Sequence, residues 1–375
     1  MKKYIYFENL DGLRFLCFLS VFFYHSFYTE IETIKTSPTI NFLKKDIFGN
    51  GNLGVNFFFV ISGFLITYLL IEEKRLNGQI NLIKFWQRRI FRIWPLFFLC
   101  VIIGFWGFPF LKMVLGQTSN ETANIWYYLT FTNNFDLLKN GLPDASILGV
   151  LWSIAIEEQF YLIWPIILYL LPIKRYWIAF SVIIIGSLIF RGYYNSNYIN
   201  ELHTLSCIND MAIGAFGAWL LLVSENFKNS ILTLKKHYIF AIYILFILIY
   251  FYRDEVLIRN ELIRVFERVL IALVILFIIL EQNFSKNSFF KISKIKLFTR
   301  LGRISYGLYC LHFIGVLIAI NFTKFLHINT EIWQIILLET SLALVFTVII
   351  SVISYRYFEK PFLKMKEKYT FFSKS

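Results

Sequence analysis

Apolar runs alternate with short polar stretches along almost the whole chain, and the runs are long enough to cross a hydrocarbon layer of ~30 Å. The pattern predicts ten spans, at 10–28, 54–71, 93–115, 150–171, 177–193, 205–223, 238–252, 262–280, 304–322 and 333–357. The stretch 126–135 is too short and too polar to span unaided, so a re-entrant segment or an interfacial helix is expected there. No Pro-, Gly- or Ser-rich linker divides the sequence. The expected fold is therefore all-α, a polytopic transmembrane helix bundle of about ten spans, with residues 1–375 forming a single integral-membrane domain.

The first span is unusual because it carries Asp11, Arg14 and His25. At 100° per residue, Arg14 and His25 fall roughly 20° apart and Asp11 and His25 about 40° apart, so the three share one helix face. His25 would stand about 16 Å along the axis from Arg14, which links a membrane surface to the bilayer interior. Ionisable groups at such depth mark functional sites by default, although a lone histidine also serves as a hydrogen-bonded structural group between helices. The fourth span is similar. Its LWSIAIEEQFYLIWP run places Ser153, Glu157, Glu158, Gln159 and Tyr161 within nine residues, and two adjacent carboxylates cannot both face lipid. Glu157 or Glu158 is expected to line a site.

Other polar positions carry two readings each. Ser62–Gly63 reads as a close helix-packing step. Ser305, Tyr309 and His312 form one stripe on the ninth span, with His312 read either as a second functional base or, preferred, as a structural partner for a buried carboxylate. Arg264, Glu267 and Arg268 either pair among themselves or face outward toward a sugar or an anion. Lys84, Arg88 and Arg92 recur at i, i+4 and i+8 beside aromatic residues. Like charges at that spacing repel unless an anion bridges them, either a lipid headgroup or the phosphates of a cofactor.

Composition and charge narrow the class further. The chain is 58% hydrophobic and 16% charged, with 43 Phe and a net charge of +13. With the amino terminus inside, 25 of the 37 Lys and Arg residues fall in cytoplasmic segments and 11 in external ones, so both termini are expected to be cytoplasmic. Topology and anionic lipid then account for the positive charge, and a nucleic-acid partner is not expected. No cleavable leader is expected, since the first apolar segment runs to spanning length without a small-residue exit site. Cys17, Cys100, Cys207 and Cys310 lie in apolar runs, and the five histidines lack metal-ligand spacing, so neither disulfides nor a metal are expected.

Six blocks carry a resemblance. LDGLRFLCFLSVFFYH (10–25), GVNFFFVISGFLI (54–66), FWQRRIFRIWP (85–95), LWSIAIEEQFYLIWP (151–165), LGRISYGLYCLH (301–312) and SYRYFEKPF (354–362) stand in the order found in membrane-bound acyltransferase family 3, which the chain resembles over nearly its whole length. The resemblance implies a bundle of about ten transmembrane helices in the bacterial cytoplasmic (inner) membrane that moves acyl groups, commonly acetyl from acetyl-CoA, onto extracytoplasmic or lipid-linked surface carbohydrate of the cell envelope.

Residue by residue, the resemblance assigns the catalytic pair to Arg14 and His25, donor binding to Arg88, Arg89 and Arg92, and the buried carboxylate to the pair Glu157 and Glu158. His25 would act as base or as acyl carrier, Glu158 or else Glu157 would orient it, and Arg14 would contact donor phosphate or the developing oxyanion. The partners implied are acyl-CoA as a donor substrate, a polysaccharide or other surface-carbohydrate acceptor, and membrane lipid, with no permanently bound cofactor and with homo-oligomerisation open. Many family members have Asp in place of Asn56, and Arg-x-Asp in place of Cys207–Ile208–Asn209, so charge pairing there should differ. Some carry an additional esterase-like domain, and here acceptor selection is expected from external loops or a separate protein. A proton-coupled secondary transporter or exporter of a surface-glycan precursor, using Asp11, His25 and Glu158 as a relay, is the alternative, disfavoured by the lack of visible repeats.

Overall fold

A computed structural model describes residues 6–369, and every regular element among them is helical. Lys2, Lys3 and Lys374, counted above with the cytoplasmic cations, lie outside the described residues. Ten long helices correspond to the ten predicted spans: α1 (Glu8–Tyr24), α2 (Leu53–Asn77), α3 (Leu82–Ile102), α4 (Trp152–Leu170), α5 (Tyr176–Tyr194), α6 (Thr204–Val223), α7 (Lys236–Arg253), α8 (Glu261–Phe284), α9 (Ser305–Phe325) and α10 (Thr340–Ile353). By length and composition seven helices among the described residues can cross a membrane, or eight if the bent pair Glu225–Leu232 and Lys236–Ile258 counts as one span. Two of the predicted spans fall short for visible reasons. Helix α1 ends after 17 residues and carries Glu8, Asp11 and Arg14, whereas α8 carries Glu261, Arg264, Glu267, Arg268 and Glu281.

The basic segment ahead of the third span is not a separate element. Asn81 caps α3 by accepting the Lys84 backbone N–H at 2.9 Å, and the helix then runs without a break, through a π turn at Ile103–Gly107, as far as Val114. Arg88, Arg89 and Arg92 therefore sit on the same rigid rod as the apolar span. The stretch 126–135 forms short helices, Ile125–Leu129 and the start of Asn133–Asn140, with Trp126 exposed.

Helices α2 and α6 meet through glycine. A Cβ on Gly63 would fall 2.0 Å from the Met211 carbonyl oxygen, and one on Gly214 would fall 2.1 Å from that of Val60, so the backbones approach as only small residues permit. Gly63 thus fulfils the packing role expected of the Ser62–Gly63 step. Ser62 does not, because its hydroxyl turns to another helix.

The charges of α8, read from the sequence as either pairing among themselves or facing a sugar or an anion, pair across helices instead. Glu267 accepts from Arg191 of α5 at 2.9 Å and from Arg253 of α7 at 2.7 Å, while Arg268 reaches Asp210 of α6 at 2.7 Å. Asn56 of α2 donates to the same Asp210 carboxylate at 2.9 Å. Arg264 turns away to the side chains of Asn195 and Asn197. Pairing between helices wins because Arg191, Asp210, Arg253, Glu267 and Arg268 are buried in the bundle, where an unpaired charge is far costlier than at a surface.

Candidate active site

Helices α1, α2, α3, α4 and α9 enclose a cavity of about 770 Å³, the open solvent at its mouth included. Arg14 from α1 and Arg89 and Arg92 from α3 bring three guanidinium groups to its wall, and Glu157 with Tyr161 from α4 and Tyr309 from α9 are among the other polar residues that line it. Arg14 is held by Asp11 at 2.9 Å, and Asp11 is in turn fixed by the Tyr6 hydroxyl at 2.5 Å. Arg89 and Arg92 have no hydrogen bond or ion pair among the described residues; Arg89 stacks its guanidinium 5.5 Å from the Tyr161 ring centre and 5.6 Å from that of Phe85. Two such cations inside an apolar bundle make a site for an anion.

A proline creates the joint that positions this wall. Pro165 in α4 has no N–H to give to the carbonyl one turn back, that of Tyr161. The Trp86 indole of α3 donates to that carbonyl instead, at 3.1 Å, tying α3 to α4 beside Arg89. Glu157 accepts from Ser62 of α2 at 2.6 Å, and the Tyr309 hydroxyl bonds Ser153 of α4 at 2.8 Å.

One turn beyond Tyr309, His312 is fully buried. Its Nδ1 lies 2.7 Å from the Tyr309 carbonyl oxygen and its Nε2 lies 3.1 Å from Nδ1 of His25, the residue that ends α1. The two rings stack at 21° with centres 5.2 Å apart. A carbonyl can only accept, so His312 Nδ1 carries the proton. With both rings neutral, His312 Nε2 accepts from His25 Nδ1–H, and the lone pair of His25 is assigned to Nε2.

The residues singled out from sequence fall into separate places. Arg14, Arg89, Arg92 and Glu157 meet around the cavity. Arg88 does not line it: its guanidinium bonds Glu73 at 3.2 Å and the Tyr369 carbonyl at 2.9 Å. Glu158 is off the wall too, with one oxygen accepting from the Trp94 indole at 2.8 Å and the other buried without a partner among the described residues. Neither glutamate hydrogen-bonds His25, whose ring partner is His312, and His312 itself has no carboxylate partner among the described residues. The i, i+4 stripe of Lys84, Arg88 and Arg92 is therefore split. Arg92 stands about 40° from Arg88 and about 60° from Arg89 around the helix, so periodicity does not choose between them; Glu73 on α2, 3.2 Å from the Arg88 guanidinium, removes Arg88 from the choice.

The fold and this site define an integral membrane protein with a cation-lined internal cavity beside a histidine pair. The chain belongs to the acyltransferase 3 family, whose acyltransferase-domain profile matches residues 7–356. Among its relatives is a protein provisionally named an O-acetyltransferase in Staphylococcus aureus strain COL, 30% identical over 387 aligned positions that cover 97% of this chain and 58% of that protein. The O-acetyltransferase OatA of Staphylococcus aureus strain NCTC 8325 is 34% identical over 170 residues, 44% of this chain and 25% of that protein. The chain thus spans little more than half the length of the relative it matches end to end. No solved structure matches it.

Proposed function

We propose that the protein is a membrane O-acyltransferase that moves an acyl group, acetyl in the first instance, from cytoplasmic acyl-CoA to a hydroxyl of a surface carbohydrate, in a bacterial cytoplasmic membrane with both termini inside. The observation that carries this proposal is an anion-suited cavity, lined by Arg14, Arg89, Arg92 and Tyr309, one helical turn from His312, whose contact with His25 Nδ1 leaves the His25 lone pair on Nε2. Arginine forks suit the phosphates of the coenzyme, and a cavity that runs on to Tyr309 suits a narrow thioester arm.

In the transfer, the acceptor hydroxyl oxygen attacks the thioester carbonyl carbon while its proton passes to His25 Nε2. The tetrahedral intermediate collapses with cleavage of the carbon–sulfur bond, and the departing thiolate takes the proton back from the imidazolium. A covalent route would use the same lone pair to carry the acyl group. His312 is a positioning residue that holds the tautomer. The names of the relatives support acetyl as the group transferred. Membranes containing the protein, incubated with acetyl-labelled acetyl-CoA, should place alkali-labile label on carbohydrate; label that stays on the coenzyme would overturn the assignment and favour an exporter.

A further inference from the structure

A second cavity, of about 630 Å³ with open solvent included, lies at the other end of the same two helices. Along α1 and the segment that follows it, the order is Arg14 on the first cavity, His25 in the pair at the helix end, then Tyr28 and Thr29, past the helix, on the second. Along α9 it is Tyr309, His312, then Ile320 and Lys324. Two independent segments therefore run from one cavity, through the histidine pair, to the other.

The two cavities differ in charge. The first collects three guanidinium groups against one lining carboxylate. In the second, Lys324 is neutralised by Glu30 at 2.7 Å, and Glu339 leaves an excess of negative charge that disfavours phosphate. Glu339 is only 5% exposed; one of its oxygens accepts from Thr323 at 2.6 Å, and the other has no partner among the described residues although the residue lines the cavity. It is presented by a π turn, Gln334–Glu339, that interrupts the regular i, i+4 ladder leading into α10. Amide and imidazole groups of Asn329 and His327, the hydroxyl of Tyr28 and the apolar faces of Ile320 and Ile335 add mixed donors and acceptors around C–H surface.

Resting on the proposed acyl transfer, we infer that this second cavity is the acceptor site, and that it takes an uncharged, polyhydroxylated sugar unit with Glu339 accepting from a ring hydroxyl. Donor and acceptor then approach the histidine pair from opposite ends and are sorted by charge.

The test uses the full chain in a host that otherwise lacks it. Glu339→Gln keeps an oxygen for Thr323 but loses the charge, and Thr330→Cys, exposed beside the cavity but not on its wall, offers an external thiol, the four native cysteines being buried. Ester-linked acetyl on surface carbohydrate should fall at least tenfold for Glu339→Gln, and for Thr330→Cys only after treatment with a bulky impermeant maleimide. Affinity of both purified proteins for CoA should stay within twofold of wild type. Retention of more than half of the carbohydrate acetyl in both cases, or a matching tenfold loss of CoA affinity, would overturn the acceptor assignment while the acyl-transfer proposal stands. If the wild-type protein itself adds no acetyl to carbohydrate, both fail together.

Discussion

His25 Nδ1 lies 3.1 Å from His312 Nε2, and the far nitrogen of His312 is pinned 2.7 Å from the Tyr309 carbonyl. That chain of contacts decides which nitrogen of His25 bears its lone pair, so a main-chain carbonyl on α9 sets the chemistry of a side chain on α1. The same turn of α9 also carries the Tyr309 side chain to the wall of the cation-lined cavity. Positioning and lining are thus coupled through a single helical turn.

Replacing His25 with Ala should lower single-turnover acyl transfer by about 10² to 10⁴-fold, the usual worth of a general base, while CoA affinity changes little. His312→Ala should act in the same direction but less severely, because the base remains and only its tautomer is released. Near-normal transfer by the His25 variant, at matched protein amount and fold, would return both histidines to a packing role. Quenched-flow transfer and CoA binding, measured on the same preparations, separate the outcomes.

Donor binding should divide the arginines of α3. Loss of Arg92, or of Arg89, removes a charge-assisted contact to phosphate worth about 1.5–3 kcal/mol, so CoA should bind roughly 10- to 150-fold more weakly. Arg92→Lys should recover only part of this, since an ammonium lacks the planar fork. Arg88→Ala should leave CoA affinity unchanged and instead lower thermal stability, because it strands the buried Glu73. Titration calorimetry with CoA gives the ranking, and equal losses at Arg88 and Arg92 would contradict the geometry.

The cross-helix charge pairs predict a stability effect away from the site. Asp210→Asn leaves the Arg268 guanidinium buried without its carboxylate and should destabilise the bundle by about 3–5 kcal/mol. Removing both charges together, Asp210→Asn with Arg268→Met, should be milder than the single change. Detergent-solubilised melting curves for the three proteins test the order.

The helical, membrane-embedded fold was legible because apolar runs of spanning length leave few alternatives once backbone groups must be satisfied inside lipid. The common face of Asp11 and Arg14, which pair at 2.9 Å, was legible for the same reason, since helical periodicity is local. What periodicity could not supply was any contact between helices. Nothing near His25 in sequence points to His312, 287 residues away, and nothing near Arg88 says that Glu73 will take it. Glu267 had two nearby arginines in sequence and chose two distant ones, Arg191 and Arg253. Pro165 carried a local signal that the pattern of apolar runs does not use: a proline inside a helix frees the carbonyl four residues back, so Tyr161 needs a donor.

That freed carbonyl supports a double-mutant test of how the cavity wall is held. Trp86→Phe removes the indole N–H and leaves the Tyr161 carbonyl without a protein donor, which should cost about 1–3 kcal/mol. Pro165→Ala restores an N–H that can close the regular helix bond to the same carbonyl, in competition with the indole. Each change alone should alter the α3–α4 joint, but the pair should be less destabilised than the sum of the two, because the alanine N–H replaces the lost indole. Since Arg89 stacks on the Tyr161 ring, CoA affinity should follow the same pattern, weakened in Trp86→Phe and partly recovered in the double variant. Melting temperatures and CoA titrations on the four proteins of the cycle are sufficient. Strict additivity in both measurements would show that the indole and the missing proline N–H do not share the Tyr161 carbonyl.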